Sequence, residues 1–358
     1  MKTLLFTLEY EPFKGGVANY YKNLVANWPE PNNISVLYKN YLTRRFKHFL
    51  YWLDLRTEYQ KNKFDYILVG QLLPLGLVAY LFSKIFKVKY GVFIHGMEIS
   101  PYLSNSRKSK LVKKILLSAD KIITPNKFTS DLIGQVLDNQ MQKVVVVSPG
   151  ISVRPELNSA RVAELKNQYN LNGKKVLLSL GRLVKRKGFD MVFEALETMT
   201  VNDLENIKYL VAGTGPDAYY LQSLILKYPR LKDCVLFLGE ISDDDKWSWL
   251  DLCDIFIMPA RNIAGDFEGF GIVYLEANLS HKAVIAGNAG GVPDAVVDGV
   301  SGFLVDPENK EMIAAKILQL LNDDNLCDDL GRRGYERAVN DFKWTDKISQ
   351  IYKAINFK

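Results

Sequence analysis

Short apolar runs alternate with longer amphipathic stretches along the whole chain, the pattern of parallel strands joined by crossover helices. In the first half the runs Thr3–Thr7, Ile34–Tyr38, Tyr66–Val69, Tyr90–Ile94, Lys121–Thr124 and Val144–Val147 predict strands. In the second half Val176–Leu180, Lys208–Ala212, Val235–Leu238, Ile255–Met258, Ala283–Ala286 and Gly302–Val305 do the same. A helix should open near Gly16, because Val17, Tyr20, Tyr21, Leu24 and Val25 form an i, i+3, i+4 stripe. Trp344, Ile348, Ile351, Tyr352 and Ile355 predict a last amphipathic helix with Thr345 as its N-cap. The dense Pro/Gly/Ser patch Ser148–Pro155 separates the two α/β halves and reads as a hinge.

The chain's 358 residues suit two domains rather than one core. Cys234, Cys253 and Cys327 are odd in number and lack metal-ligand spacing, so neither a disulfide framework nor a zinc site is expected, and a cytoplasmic location is. The apolar start is cut short by Glu9 and Glu11, and the stretch Leu72–Val88 contains Pro74, Lys84 and Lys87, so no membrane span is expected. Charge is divided unevenly. Through residue 150 there are 21 basic and 10 acidic residues, net +11, and beyond it 25 and 30, net −5. A basic first half suggests an anionic partner, a membrane surface or nucleic acid; a solvated lysine-rich surface explains it equally well.

Candidate chemistry sits where predicted strands end. Gly15-Gly16 follows the first strand and opens a helix, a turn that lets backbone N–H groups meet an anion and is as often simple geometry. Gly181-Arg182-Leu183-Val184-Lys185-Arg186-Lys187-Gly188 follows the strand that opens the second half. There Arg182 would supply a fork donor and Lys187 a point charge, a pair suited to a diphosphate, against the alternative of a basic surface loop. Gly213-Thr214-Gly215-Pro216-Asp217-Ala218 fits G-x-G-x-x-A but carries proline in the phosphate turn and follows the wrong strand, so it reads as a helix-opening turn. Asp243-Asp244-Asp245 after Ser242 reads as a capped helix start rather than a metal site. Between Pro259-Ala260-Arg261 and Ala277, Glu268 precedes a helix starting near Gly271 and Glu276 lies one to two turns inside it. Both carboxylates can face one site, kept ionised by Arg182, Lys187 and Arg261 to accept sugar or ribose hydroxyls; two acids stabilising a helix start is the simpler alternative. His95, at the end of Tyr90–Ile94, can donate to a ligand oxygen, although a lone histidine is more often structural.

Together these residues resemble a family 4 retaining glycosyltransferase of the GT-B architecture: α/β, two Rossmann-like doubly wound domains facing across a cleft. The likeness runs through Gly15-Gly16, His95-Gly96, Gly181-Arg182-Leu183, Lys187-Gly188, Gly213–Pro216 and the E-x7-E pair Glu268 and Glu276. It continues through Ala289-Gly290-Gly291-Val292-Pro293-Asp294 and Asp298–Val305. The resemblance implies an acceptor-binding domain over 1–152, a nucleotide-sugar-binding domain over 153–340 and a C-terminal helix over 341–358 packing back on the first. It implies that Arg182 and Lys187 hold the donor diphosphate, with the Gly16 amide beside Gly15 capping the distal phosphate. Glu276 would bind ribose. Glu268, Gly269, Phe270, Gly271 and Ile272 would bind the donor sugar with Arg261 nearby, and His95 would contact that sugar. Catalysis would rest on His95, Glu268, Arg182 and Lys187.

The segment Met258-Pro259-Ala260-Arg261 with Glu-Gly-Phe-Gly-Ile-Val-Tyr-Leu-Glu-Ala is similar to mannose transferases acting on phosphatidylinositol lipids. GDP-mannose is therefore the first expected donor and a UDP-hexose the second. A glycan or lipid-linked acceptor in envelope polysaccharide or glycolipid synthesis follows, with no metal, no other cofactor and no nucleic-acid partner. The basic residues Arg44, Arg45, Lys47, Arg107, Lys108, Lys110, Lys113 and Lys114, interleaved with Phe46, Phe49, Leu50, Leu111 and Val112, suit peripheral attachment to the inner, anionic face of a membrane. The rival readings are a nucleotide-sugar epimerase or phosphorylase of the same architecture and, from another class, a dinucleotide-dependent oxidoreductase using Gly213–Ala218.

Overall fold

The computed structural model describes residues 1–13, 15–40, 46–103, 106–356. It divides into two compact units, Met1–Gly150 with Lys343–Lys358, and Ile151–Phe342. The first contains β1 (Thr3–Thr7), α1 (Gly16–Ala26), β2 (Ile34–Tyr38), α2 (Lys47–Asn62), β3 (Tyr66–Val69), α3 (Leu75–Phe86), β4 (Lys89–Phe93), α4 (Arg107–Ser118), β5 (Lys121–Thr124), α5 (Lys127–Val136) and β6 (Val144–Val146). The second contains α6 (Ser159–Gln168), β7 (Lys175–Leu180), α7 (Phe189–Glu197), α8 (Val201–Glu205), β8 (Ile207–Ala212), α9 (Ala218–Lys227), β9 (Val235–Gly239), α10 (Asp243–Leu252) and β10 (Ile255–Met258). It continues with α11 (Ile272–Leu279), β11 (Ala283–Gly287), α12 (Val292–Ala295), β12 (Phe303–Val305), α13 (Lys310–Leu321) and α14 (Asp324–Asp341), and α15 (Trp344–Asn356) returns to the first unit.

Each unit is built on one six-stranded parallel sheet, ordered β2-β1-β3-β4-β5-β6 and β12-β11-β10-β7-β8-β9. Parallel strands need both faces covered, and strand alternation feeds two apolar cores per sheet. In β7, Leu177 enters one core while Val176 and Leu178 enter the other. In β1, Leu4 and Phe6 face one core and Leu5 the other. Chain order reverses between β1 and β3 in the first sheet and between β7 and β10 in the second, which opens a crevice at the carboxyl ends of those strands.

Local differences from the pattern are small and physical. β4 ends at Phe93, yet Ile94 N–H still donates to Ile123 O at 2.9 Å, so the apolar run outlasts the ladder by one residue. Trp344 is already helical, which places Thr345 inside the first turn of α15 rather than at its cap. The stripe of that helix is confirmed: Trp344, Ile348, Ile351 and Ile355 are buried with Tyr20, Tyr21, Leu24 and Trp28. Each such side chain contributes about 1.5–3 kcal/mol when fully buried. Gly150 is what lets Trp344 approach, since a Cβ there would lie 2.5 Å from the indole.

Candidate functional site

At the reversal of the second sheet, β7 delivers the basic loop and β10 the acidic one. Leu183 N–H donates to Thr214 O at 2.9 Å and Asp217 N–H returns to Leu183 O at 3.1 Å, pinning the basic loop to the turn before α9. Gly213–Pro216 is therefore a turn, and it lines a cavity of roughly 400 Å³ with Arg182, Glu240 and Ile241. A second cavity of roughly 280 Å³ adjoins it through shared Leu180, Gly181 and Ile241. Its wall includes Lys187, Glu268, Gly271, Ile272 and Glu276, five of the residues singled out above, together with Lys246. Arg182 and Lys187 thus line adjoining cavities on either side of Gly181.

The electrostatics differ in detail from the sequence expectation. Glu268 receives Lys187 Nζ and Arg186 Nη1, each at 2.6 Å, and Arg186 Nε also pairs with Asp266 at 3.0 Å. Burial alone would raise the Glu268 carboxyl, but the charges of Lys187 and Arg186 and their hydrogen bonds outweigh it and hold the group below its ordinary value. Arg186, not Arg182 or Arg261, is the second cation that keeps Glu268 ionised. Arg261 turns inward: Nη2 donates to Asp190 at 2.6 Å, Nη1 lies 3.6 Å from Glu308, and the side chain is buried. Its backbone N–H on Arg186 O at 2.7 Å joins the acidic loop to the basic one and sets that direction.

Glu276 accepts from Lys246 Nζ at 2.6 Å. Lys246 and Arg186 are the residues that sequence reasoning missed. The available signal for Lys246 was its place one turn after the Ser242 cap, on the helix face that begins at the carboxyl end of β9. Ser242 does cap α10, accepting from Asp245 N–H at 3.0 Å, and Asp245 is held by Arg161 at 2.8 and 3.0 Å. The acidic triplet thus serves a helix start and an ion pair.

α11 aims its N-terminus at the smaller cavity, where the leading N–H groups of a helix have no intrahelical carbonyl to meet. Gly271, with φ +82°, makes that entry, and a Cβ on it would sit 2.4 Å from the Tyr274 ring. Behind it, Gly291 N–H donates to Glu268 O at 2.9 Å, so the Gly290-Gly291 turn fixes the backbone that presents the carboxylate. Phe270 is buried against Phe342 at 5.9 Å between centroids, which leaves its backbone rather than its ring for a ligand.

In the first unit Gly15 precedes α1, and His95 follows β4. His95 N–H donates to Glu98 at 2.6 Å, and Nε2 lies 2.7 Å from the Tyr21 hydroxyl. Burial pushes the imidazole below the ordinary histidine value, with Glu98 opposing. On the surface, Phe46 and Phe49 are exposed, whereas on α4 Val112 is fully buried in the core, Leu111 is half-buried against it and Lys113 pairs with Asp138. Arg44 and Arg45 lie outside the described residues. α3 adds exposed Leu81 and Ile85, and it packs beside α2 through Trp52 and Phe82 at 5.5 Å.

Comparison with known proteins defines the class. Crystal structures of Anabaena Alr3699/HepE with UDP and glucose (TM-score 0.80, 18% identity, 100% of each chain) and of a Rickettsia africae glycosyltransferase (0.79, 19%, 99% of each) share the fold. It is the two-sheet GT-B architecture. The model "Glycosyl transferases group 1" matches residues 162–337 and "Glycosyltransferase Family 4" matches 29–154; the chain belongs to the family 4 glycosyltransferases. A GDP-mannose-dependent alpha-(1-6)-phosphatidylinositol monomannoside mannosyltransferase of Mycobacterium tuberculosis is 32% identical over 57% of this chain. That match spans 53%, about half, of the relative's own length. A monoacylated phosphatidylinositol monomannoside mannosyltransferase of Corynebacterium glutamicum is 26% identical over 96% of this chain and 94% of its own. No helix among the described residues is long and apolar enough to cross a membrane.

Proposed function

We propose that the chain is a retaining hexosyltransferase that moves a hexose from a nucleoside diphosphate sugar to a glycan or lipid-linked acceptor, with mannose from GDP-mannose as the first donor. The observation that carries this reading is the convergence of Lys187, Glu268, Glu276 and the α11 N-terminus on one cavity at the β7/β10 reversal. Mannose is favoured by what the mycobacterial and corynebacterial relatives are named for; the UDP and glucose in the Anabaena structure favour a UDP-hexose as the second donor.

In this mechanism the bond from sugar C1 to the diphosphate oxygen breaks, the acceptor hydroxyl oxygen bonds to C1, and its proton passes to the departing phosphate on the same face. Lys187 with Arg182 stabilises charge developing on that oxygen, the kind of contribution that dominates such reactions, and no metal is required. Glu276 orients ribose. Glu268 and the backbone from Gly269 to Ile272 orient the hexose. The parts given to Gly15, Gly16 and His95 rest on the family resemblance. A thermal-shift screen of GDP, UDP, ADP and their sugars, run with a chelator present, tests the reading. GDP at a hundred times its Kd should stabilise by about 2.7 kcal/mol. Stabilisation by NAD(P) and not by any nucleoside diphosphate would instead support the oxidoreductase.

The exposed side chains Phe49, Leu53, Leu81 and Ile85 beside Lys84 and Lys87 favour docking of the first unit on an anionic membrane at the cytoplasmic face, where a lipid-linked acceptor would be met. Sedimentation should show binding to vesicles with acidic lipid and little to neutral ones, and Ile85→Ser with Phe49→Ser should release the protein. Equal binding to both vesicles would remove this part.

A further inference from the structure

Tyr21 sits on α1 with its hydroxyl between two partners: the Gly70 carbonyl at 2.6 Å, just past β3, and His95 Nε2 at 2.7 Å, just past β4. A phenol has one hydrogen to give, and a carbonyl can only accept. The Tyr21 hydrogen therefore goes to Gly70, and toward His95 the same oxygen can only accept. We propose that Tyr21 is a positioning residue that holds His95 as the neutral Nε2–H tautomer, so that the ring presents Nδ1 as a hydrogen-bond acceptor for a hydroxyl of the substrate. This reverses the donor role expected of His95 from its place after a strand. The ligand half of the inference rests on the donor-sugar reading above.

The surroundings agree. Nδ1 has no hydrogen-bond partner among the described residues, nor is it one of the buried atoms left unpaired. The ring is oriented by aromatic neighbours rather than by a second hydrogen bond: it lies parallel to Phe93 with centroids 6.1 Å apart, and edge-on to Tyr20 and Tyr21 at 5.4 and 5.5 Å. Burial among them favours the uncharged form, consistent with the lowered histidine pKa. The Tyr21 hydroxyl is itself pushed well above its ordinary value by burial, so it remains a phenol. The nearby ionisable groups, Glu98 on the His95 backbone and Glu9, whose carboxyl is raised by burial and by Glu98, are also acceptors when ionised. A site of acceptors selects a group that brings hydrogens, which a sugar hydroxyl does and a phosphate does not.

Histidine-selective ¹⁵N labelling of the full chain decides the matter, because only His48, His95 and His281 contribute and His95→Asn identifies the His95 signals by their loss. In the free protein, long-range ¹H–¹⁵N spectra should show His95 with unprotonated Nδ1 and protonated Nε2. The opposite tautomer, or an averaged signal, overturns the inference whatever the donor proves to be. Tyr21→Phe should average the two forms and raise the KM for the sugar donor about twofold, as the competent tautomer falls to about half of the population, while GDP still stabilises the protein as before. A Tyr21→Phe spectrum identical to wild type would remove Tyr21 from the role. GDP-mannose or UDP-glucose should move the Nδ1 resonance where bare GDP or UDP does not. If the nucleotides bind and neither sugar moves it, the hydroxyl contact is wrong and the diphosphate site stands; if no nucleotide binds, the donor reading fails and the tautomer result stands.

Discussion

Replacing Lys187 by alanine should abolish the stabilisation given by a nucleoside diphosphate and reduce turnover by about 10²–10³-fold, the loss of roughly 2.7–4 kcal/mol seen when one charge-stabilising donor is removed from a transition state. The size follows from burial. Lys187 is 8% exposed with Nζ fixed at 2.6 Å on Glu268, so its charge is already ordered and weakly screened when the ligand arrives. Arg182 is exposed and without an ion-pair partner among the described residues, so Arg182→Ala should give the smaller loss. Turnover of GDP-mannose, with the GDP thermal shift as the binding readout, measures both. A Lys187→Ala protein that GDP stabilises like wild type would place the diphosphate elsewhere.

The largest effect on stability is expected at Glu268. Glu268→Ala leaves Lys187 and Arg186 largely buried with their shared counter-charge removed, although Arg186 retains Asp266, and breaking such a pair costs about 3–5 kcal/mol. Adding Lys187→Met should recover part of that loss, because it removes one uncompensated charge instead of restoring the pair. Denaturant melts of the second unit's transition provide the comparison, and equal midpoints for wild type and Glu268→Ala would contradict it. The acid limb carries a separate signature. The folded carboxyl lies below its ordinary value of 4.5, so its contribution is present above that value and is lost as the pH falls through the folded pKa. Glu268→Gln should lack this increment, and its melting temperature should fall less steeply than wild type below about pH 4.5.

The framework was legible because parallel strands are covered on both faces and so appear as unbroken apolar runs. The bounds of β1, β2, β3, β5 and β10 coincide with those runs, and the remaining strand ends shift by a residue where a ladder bond begins or stops. Lys187, Glu268 and Glu276 were legible for a related reason: the first two lie in loops that follow strand ends, the third lies about a turn into the helix that one of those loops opens, and strand ends share an edge. Direction within a loop was not. Arg182, Arg186 and Arg261 are chemically alike in the sequence, and a backbone hydrogen bond from Arg261 to Arg186 decides that one faces Asp190 while another faces Glu268. Pairs between distant elements were equally hidden. Lys246 meets Glu276 across 30 positions and Tyr21 meets His95 across 74, separations at which no periodicity operates.

The return of α15 to the first unit has a consequence for biogenesis. Domains ordinarily complete themselves in the order in which they leave the ribosome. Here the second unit is contiguous in the chain and needs no later segment to close its cores, whereas Tyr20, Tyr21 and Trp28 wait for Trp344, Ile348 and Ile351 to be synthesised. Until then the sheet of the first unit keeps an open oily flank, the kind of nascent surface that a holdase shelters.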